Sequence, residues 1–144
     1  DLSKVRRNET SQLVYHKTLN YGDCILEKRA AAAAGINEKI FINTKGQISE
    51  GTVCNVFFVR KNMIYTPQLS CGLLPGILRE YIMERFQVTE TIIYPDELMY
   101  YEECFVTNSL MGVMPVRQLG NICFPHRVKA DEVREIYEKE KMSL

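Results

Sequence analysis

The sequence predicts an α/β (α+β) protein in which helices and strands form a single unit. Three observations favour this class. An alanine-rich run over residues 19–34 is typical of a helix, short β-rich runs over 39–66 predict an antiparallel meander, and residues 129–141 have the spacing of an amphipathic helix. With 144 residues the chain is long enough to bury a core as one domain, residues 1–144.

The elements at the start of the chain are a polar segment, a strand and a helix. Residues 1–10 are polar and charged, with 6–10 typical of a loop or an edge segment, and 13–15 form a short apolar strand that leads to Lys17. The helix over 19–34 is expected to end at Gly35, because glycine is the preferred residue just past a helix end.

The middle of the chain is predicted to alternate strands with turns before a second helix. Strands are expected over 39–43, 47–51, 53–60 and 63–66. A loop with glycine and proline follows over 67–75. The second helix, over 76–86, has a spacing that predicts a buried face made of Ile77, Leu78, Tyr81, Ile82 and Phe86.

The last third of the chain adds shorter elements. We expect a strand over 89–94, a short helix over 96–101 that is capped by Asp96, and a strand over 104–107. A strand over 113–119 is interrupted by Pro115, which belongs at a sheet edge or a bulge. The helix over 129–141 closes the chain.

The composition points away from several classes of function. Basic and acidic side chains number 18 each, so no charge excess favours nucleic acid or an anionic membrane, and no apolar run has the length of a membrane span. The five cysteines form no C-x-x-C pair and are odd in number, which argues against a disulfide framework or zinc cluster and predicts a reducing cytoplasm. With two histidines and no carboxylates at ligand spacing, we expect no metal site.

Lys17 is the first candidate for chemistry, although most lysines are solvated surface charges. It follows an apolar run and precedes a helix of the buried type, so its amine can point inward. A buried lysine loses its charge readily, and the neutral amine is a nucleophile that forms Schiff bases. From this residue alone both interpretations stay open.

Glu50 is the second candidate because it lies between a turn and an apolar strand. It is either a turn carboxylate in water or a buried carboxylate with a cationic partner, since an unpaired buried charge is costly. A protonated ring nitrogen of a cofactor is one such partner.

Two further segments are candidate anion sites. Gly76 opens the second helix, whose first backbone N–H groups lack partners within the helix and lie at its positive end. Thr107, Asn108 and Ser109 follow a strand and offer hydroxyl, amide and backbone donors. Each segment also has a simpler explanation, a Pro-Gly helix start and an N-cap. Together they supply enough donors for one phosphate.

Five motifs, in this order and spacing, resemble the C-terminal domain of the class IV (fold type IV) pyridoxal-phosphate (PLP) aminotransferases. They are H-K-T-L-N-Y, E-G-T-V-C-N-V-F-F-V, Y-T-P, L-S-C-G-L-L-P-G-I-L-R and V-T-N-S-L-M-G-V-M-P-V. The family includes branched-chain aminotransferases, D-amino acid transaminases and aminodeoxychorismate lyases. The resemblance implies a mixed, largely antiparallel, barrel-like sheet with flanking helices.

The resemblance also implies that residues 1–144 are the PLP-binding C-terminal domain of a longer protein, which agrees with a chain that begins at Asp1 and not at methionine. The family's N-terminal domain, absent from this chain, supplies a further phosphate-binding arginine and part of the substrate pocket. We therefore expect this fragment alone to hold the cofactor weakly or not at all.

By position, the resemblance assigns three residues to the aldehyde and the ring of the cofactor. Lys17 corresponds to the catalytic lysine, which forms the Schiff base with PLP and then moves the α-proton of the substrate. Glu50 corresponds to the carboxylate on the pyridine nitrogen. Tyr21 is similar to the tyrosine at the phenolic oxygen of the cofactor, although its spacing from the lysine is one residue shorter than in branched-chain enzymes.

The phosphate and the substrate are assigned in the same way. The backbone amides of Ile77 and Leu78, and the hydroxyl and amide of Ser109, correspond to the phosphate-binding groups, and the amide of Leu110 to a group that binds the substrate carboxylate. Many members have threonine at the position of Leu78, so here only the amide is available. Cys54 replaces a common serine.

Within the family, H-K-T-L-N-Y and T-N-S-L-M-G-V-M-P-V are most similar to aminodeoxychorismate lyases. The expected function is a PLP-dependent lyase that converts 4-amino-4-deoxychorismate to 4-aminobenzoate and pyruvate for folate synthesis. The alternative is a branched-chain or D-amino acid aminotransferase that uses the same site. Expected partners are an amino acid or amino-chorismate substrate and a second copy in a homodimer, without nucleic acid or membrane.

Two functions of other classes remain as rivals. In a non-catalytic module, Lys17 would be structural and the donor segments would only cap helices. In a domain that binds phosphate esters or nucleotides, the same donors would act without a covalent cofactor.

Overall fold

The computed structural model describes residues 1–11, 22–35 and 37–142, without the side chains of residues 22 and 23. Lys17, Tyr21 and the strand predicted over 13–15 lie outside the described residues.

One sheet, called the small sheet below, has the order β1-β2-β3 and is built from β1 (Leu2–Arg7), β2 (Ile40–Asn43) and β3 (Ile48–Gly51). Strands β1 and β2 are parallel, and α1 (Gly22–Ala33) lies between them in the chain, as a parallel connection requires. Gly35 follows α1 with φ of 72°, which confirms the predicted helix end. Residues 6 and 7 end β1, which stands at one end of the strand order, and residues 8–10 lie outside the strand, so the prediction of a loop or an edge segment over 6–10 is confirmed.

A second sheet, the main sheet, has the order β6-β5-β4-β7-β8. Its strands are β4 (Asn55–Arg60), β5 (Met63–Pro67), β6 (Val88–Thr91), β7 (Glu103–Asn108) and β8 (Gly112–Val116). Neighbours are antiparallel except for β5 and β6, which run parallel. The predicted single meander is therefore wrong in one respect, because the hairpins β2–β3 and β4–β5 belong to different sheets. Pro115 lies in β8, at one end of the strand order, as its missing N–H requires.

The remaining elements flank these sheets. They are a 3₁₀ turn (Leu69–Cys71), α2 (Ile77–Arg85), a 3₁₀ helix (Pro95–Tyr100), the antiparallel pair β9 (Gln118–Leu119) and β10 (Ile122–Cys123), and α3 (Val128–Met142). Asp96 does not cap its helix; it lies inside the first turn, and Tyr94 precedes that turn without a side-chain cap. No helix of the described ranges is long and apolar enough to cross a membrane.

Two hydrophobic clusters cover the two faces of the main sheet, because successive side chains of a strand point to opposite faces. The first joins the main sheet to the small sheet and includes Ile40, Ile42, Ile48, Val56, Phe58 and Val106. The second joins it to α2 and α3 and includes Phe57, Val59, Phe105, Leu78, Ile82 and Val133. Ile77, predicted to be buried with Leu78, is 82% exposed because the first residue of α2 faces away from the sheet.

Candidate functional site

The Glu50 carboxylate is buried at the end of β3, with the residue 6% exposed. Its Oε1 accepts a hydrogen bond from Arg7 Nη2 at 2.8 Å, and its Oε2 accepts one from the Leu74 backbone N–H at 3.1 Å. Burial raises the pKa of Glu50 to about 7, against the opposing effects of Arg7 and the Leu74 amide. Of the two interpretations, the buried carboxylate with a cationic partner is confirmed, and the cation is Arg7.

Arg7 is a site residue that the sequence did not single out. Its Nη2 also donates to the Cys24 thiol at 3.3 Å, and its guanidinium carbon lies 4.6 Å from the centre of the Phe41 ring. Burial is the largest single effect and works against its charge, but Glu50 and Cys24 together outweigh burial and raise the pKa of Arg7, so the guanidinium is charged. The available signal was weak: two arginines at the end of an edge strand point to opposite faces, and only one can face inward.

The loop before α2 is tied to β3 and β4 by hydrogen bonds. Ser49 Oγ donates to the Gly72 carbonyl at 3.0 Å. Asn55 Nδ2 donates to the Leu74 carbonyl at 2.9 Å, and Asn55 Oδ1 accepts the Gly76 N–H at 3.2 Å. These bonds fix the direction in which α2 begins.

The start of α2 presents backbone donors beside Asn55. Gly76 is the N-cap residue, and the first intrahelical bond runs from the Glu80 N–H to the Gly76 carbonyl at 3.0 Å. The N–H groups of Ile77 and Leu78 precede that bond and therefore have no carbonyl within the helix. A Cβ at Gly76 would stand 2.7 Å from Asn55 Oδ1, so glycine lets the helix start close to the sheet.

The turn after β7 is held by hydrogen bonds of the Asn108 side chain. Asn108 Nδ2 donates to the Val53 carbonyl at 2.9 Å, and its Oδ1 accepts the N–H groups of Leu110 at 2.9 Å and Met111 at 2.6 Å. Ser109 is exposed at the tip of this turn. The Leu110 amide is engaged, so it can reach a substrate carboxylate only if Asn108 releases it. Asn108 therefore holds the turn in this shape.

Thr107 carries a buried hydroxyl that has no hydrogen-bond partner among the described residues. Thr107 pairs with Asn55 across β7 and β4, and residues directly opposite in antiparallel strands share a face. The hydroxyl is therefore on the α2 face of the main sheet. Because an unpaired buried hydroxyl is costly, this position suits a ligand that accepts a hydrogen bond from the hydroxyl.

These contacts bring Glu50, the start of α2 and the Ser109 turn to one edge of the molecule. Glu50 binds Leu74, Gly76 binds Asn55, and Asn55 pairs with Thr107, two residues before Ser109. One end of this edge carries a buried carboxylate and the other carries amide and hydroxyl donors. The arrangement fits a ligand with a cationic nitrogen at one end and an anion at the other.

Across the described ranges, no group of three His, Cys, Asp or Glu side chains is placed to hold an ion. His126 is exposed.

The sequence of this chain was compared with protein families and with curated proteins, and it matches both. A family model described as amino-transferase class IV matches residues 1–119. Aminodeoxychorismate lyase from Bacillus subtilis is 29% identical over 82% of this chain and 42% of its own length. Branched-chain amino acid aminotransferase 2 from Humulus lupulus is 33% identical over 67% of this chain and 26% of its own.

The fold is also similar to that of a solved aminotransferase structure. The branched-chain amino acid aminotransferase from Thermobaculum terrenum, in its PLP form, superposes with a TM-score of 0.85 and 27% identity over 96% of this chain and 48% of that chain. The chain thus spans less than half the length of each of these relatives.

Proposed function

We propose that this chain, which belongs to the amino-transferase class IV family, is the PLP-binding C-terminal domain of a longer enzyme. The single observation that carries the proposal is the buried Glu50 carboxylate at one end of an edge whose other end is rich in anion donors. Membership in the family and the PLP form of the Thermobaculum terrenum relative support the choice of cofactor.

The residues present fit this cofactor at both ends. Each oxygen of Glu50 accepts one hydrogen bond from the described residues, and a carboxylate oxygen can accept a second, so a protonated pyridine nitrogen can still be bound. At the other end, the Thr107 hydroxyl has no hydrogen-bond partner within the part of the chain that the structure describes, and Gly76 lets the N–H groups of α2 stand close to the sheet. These groups suit a phosphate, because helix N-termini favour anions.

The proposed roles of the other residues follow the family. Lys17 is the amine that attaches covalently to the cofactor aldehyde and then moves the substrate α-proton, and Tyr21 holds the phenolic oxygen. Ile77 and Leu78 offer their amides to the phosphate, and Ser109 its hydroxyl and amide. When bound, PLP withdraws electrons from the carbon that bears the amino group of the substrate.

Substrate binding adds a condition to the role proposed for Leu110. Its amide binds a substrate carboxylate only after Asn108 Oδ1 releases it, a hydrogen bond of 2.9 Å. The Leu110 side chain is 96% exposed.

For the reaction we propose a lyase that converts 4-amino-4-deoxychorismate to 4-aminobenzoate and pyruvate in the cytoplasm, as a step of folate synthesis and as a homodimer. The similarity of H-K-T-L-N-Y and T-N-S-L-M-G-V-M-P-V to lyases supports this choice, and the Bacillus subtilis lyase matches 82% of the chain. The second candidate is an aminotransferase, which the 33% identity to the Humulus lupulus enzyme favours.

The experiment that separates the two candidates uses the full-length protein loaded with PLP. One sample receives 4-amino-4-deoxychorismate, and another receives a branched-chain or D-amino acid with 2-oxoglutarate. We expect 4-aminobenzoate and pyruvate in the first sample and no glutamate in the second. Glutamate without 4-aminobenzoate would replace the lyase with the aminotransferase. Lys17→Ala should abolish either product. Continued product formation in this variant would contradict a PLP mechanism.

A further inference from the structure

Arg7 connects four elements around Glu50. It closes β1, binds the Glu50 carboxylate of β3 at 2.8 Å and the Cys24 thiol of α1 at 3.3 Å, and stacks against Phe41 of β2. Its buried Nε has no hydrogen-bond partner among the described residues. Such a position is costly for an arginine, and the hydrogen-bonded pair with Glu50 offsets part of that cost.

The neighbouring Arg6 provides a comparison within the same strand. Arg6 is exposed, whereas Arg7 is only partly exposed, because adjacent residues of a strand face opposite sides. The two side chains have the same chemistry and differ only in their surroundings. Arg6 is therefore the matched control for Arg7.

Glu50 has few other groups that favour its charge. Its second oxygen accepts the Leu74 N–H, and the nearby Cys54 thiol is itself held neutral, since burial and then the Glu38 and Glu50 charges raise its pKa. Even with Arg7 in place, burial raises the pKa of Glu50 to about 7. Without the guanidinium, the carboxylate would be protonated at neutral pH and would accept one hydrogen bond fewer.

We propose that Arg7 is a positioning residue that fixes Oε1 of Glu50 and favours the charged form of the carboxylate, so that Glu50 can pair with the ring nitrogen of the cofactor. This inference rests on the proposed function for its final step, while the control of Glu50 by Arg7 belongs to the cofactor-free protein. Arg7 does not touch the reacting atoms. It acts through Glu50.

The test measures the titration of Glu50 in the cofactor-free, full-length protein by carbon NMR of labelled glutamate carboxyl groups, with Glu50→Gln to assign the signal. In Arg7→Gln we expect the titration midpoint to rise by about one pH unit or more, a change of about tenfold in the protonation equilibrium. Arg6→Gln should leave the midpoint unchanged. Arg7→Lys keeps a charge but loses the planar fork, so its midpoint should lie between wild type and Arg7→Gln.

The second readout is the protonation of the pyridine nitrogen, observed by nitrogen NMR with labelled PLP. Arg7→Gln should lower the protonated fraction at neutral pH, and Arg7→Lys should restore part of it. Unchanged Glu50 midpoints in Arg7→Gln, or in Arg7→Lys if the glutamine variant does not fold, would overturn the inference. If Arg7 shifts Glu50 but PLP never binds, the proposed function fails and the control of Glu50 by Arg7 stands.

Discussion

At the scale of single residues, Glu50 shows two opposing effects. Burial disfavours its charge, while Arg7 and the Leu74 amide favour it, and burial is the larger effect because the pKa rises to about 7. A carboxylate with such a pKa can become fully charged when a further cation arrives. This property is useful for pairing with a pyridine nitrogen.

The raised pKa predicts how stability depends on pH. Below about pH 4.5 Glu50 is protonated in both the folded and the unfolded chain, so it contributes no pH dependence. Between there and about pH 7, Glu50 is ionised in the unfolded chain and still protonated in the folded one. The free energy of unfolding therefore falls as pH rises, by about 3 kcal/mol in total. Above that range the loss is constant.

The measurement is urea unfolding of the cofactor-free, full-length protein, with wild type compared with Glu50→Gln across this pH range. The unfolding free energy of wild type should fall by about 3 kcal/mol relative to the variant as pH rises through the window. The exposed Glu84→Gln is the control and should follow wild type in parallel. A difference between wild type and Glu50→Gln that stays constant with pH would contradict the raised pKa.

The sequence predicted Glu50 and could not predict Arg7. Its position between a turn and an apolar strand left two interpretations open, a carboxylate in water or a buried one with a cation, and the packing of β3 decides for the buried one. Arg7 lies in a charged stretch, and its inward direction depends on β1 pairing with β2, which is separated from it by α1. Local sequence carries no record of that pairing.

At the scale of elements, the start of α2 is positioned by the main sheet. Asn55 binds both sides of the loop, at the Leu74 carbonyl and the Gly76 N–H, and Arg79 in the first turn bonds Glu90 at 2.6 Å and the Pro67 carbonyl at 3.3 Å. The N–H groups of the first turn therefore point in a fixed direction. A fixed direction is what makes backbone donors effective for an anion.

Asn55→Ala tests this arrangement. It leaves the Leu74 carbonyl and the Gly76 N–H without their partner, and we expect the unfolding free energy to fall by about 2 kcal/mol. Because the helix start loses its anchor, the affinity of the full-length protein for PLP should fall about tenfold.

The control is Asn121→Ala, which removes an exposed asparagine of the β9–β10 turn and should change neither quantity. Calorimetric titration with PLP measures the affinity. If Asn55→Ala lost stability and kept its affinity for PLP, the start of α2 would not be the anion site.

Elements were predicted better than their pairing. The spacing of α2 correctly indicated that Leu78 and Ile82 are buried, but it placed Ile77 with them, because a periodic pattern does not show where a helix begins to leave the core. The hairpins β2–β3 and β4–β5 were both expected, yet their division between two sheets is decided by long-range packing. Cross-strand neighbours such as Asn55 and Thr107 were likewise inaccessible from local pattern.

At the scale of the whole molecule, the two sheets and their helices bring together groups that are far apart in sequence. Glu50, Gly76 and Thr107 come from β3, the loop before α2 and β7, and they line one edge because Leu74 and Asn55 connect them. The α/β class, with a largely antiparallel sheet and flanking helices, is confirmed by the strand pairing and by the superposition on the PLP-form relative. The longer lengths of the relatives are consistent with a site completed by a further domain, as proposed above.

The covalent attachment of PLP to Lys17 is the central claim, and one measurement tests it directly. The full-length protein is incubated with PLP, reduced with borohydride, digested and analysed by mass spectrometry. We predict a phosphopyridoxyl group on Lys17, its loss in Lys17→Ala, and its retention in Lys4→Ala, which removes an exposed lysine of β1. No modification, or modification at other lysines with Lys17 left free, would contradict the proposed function.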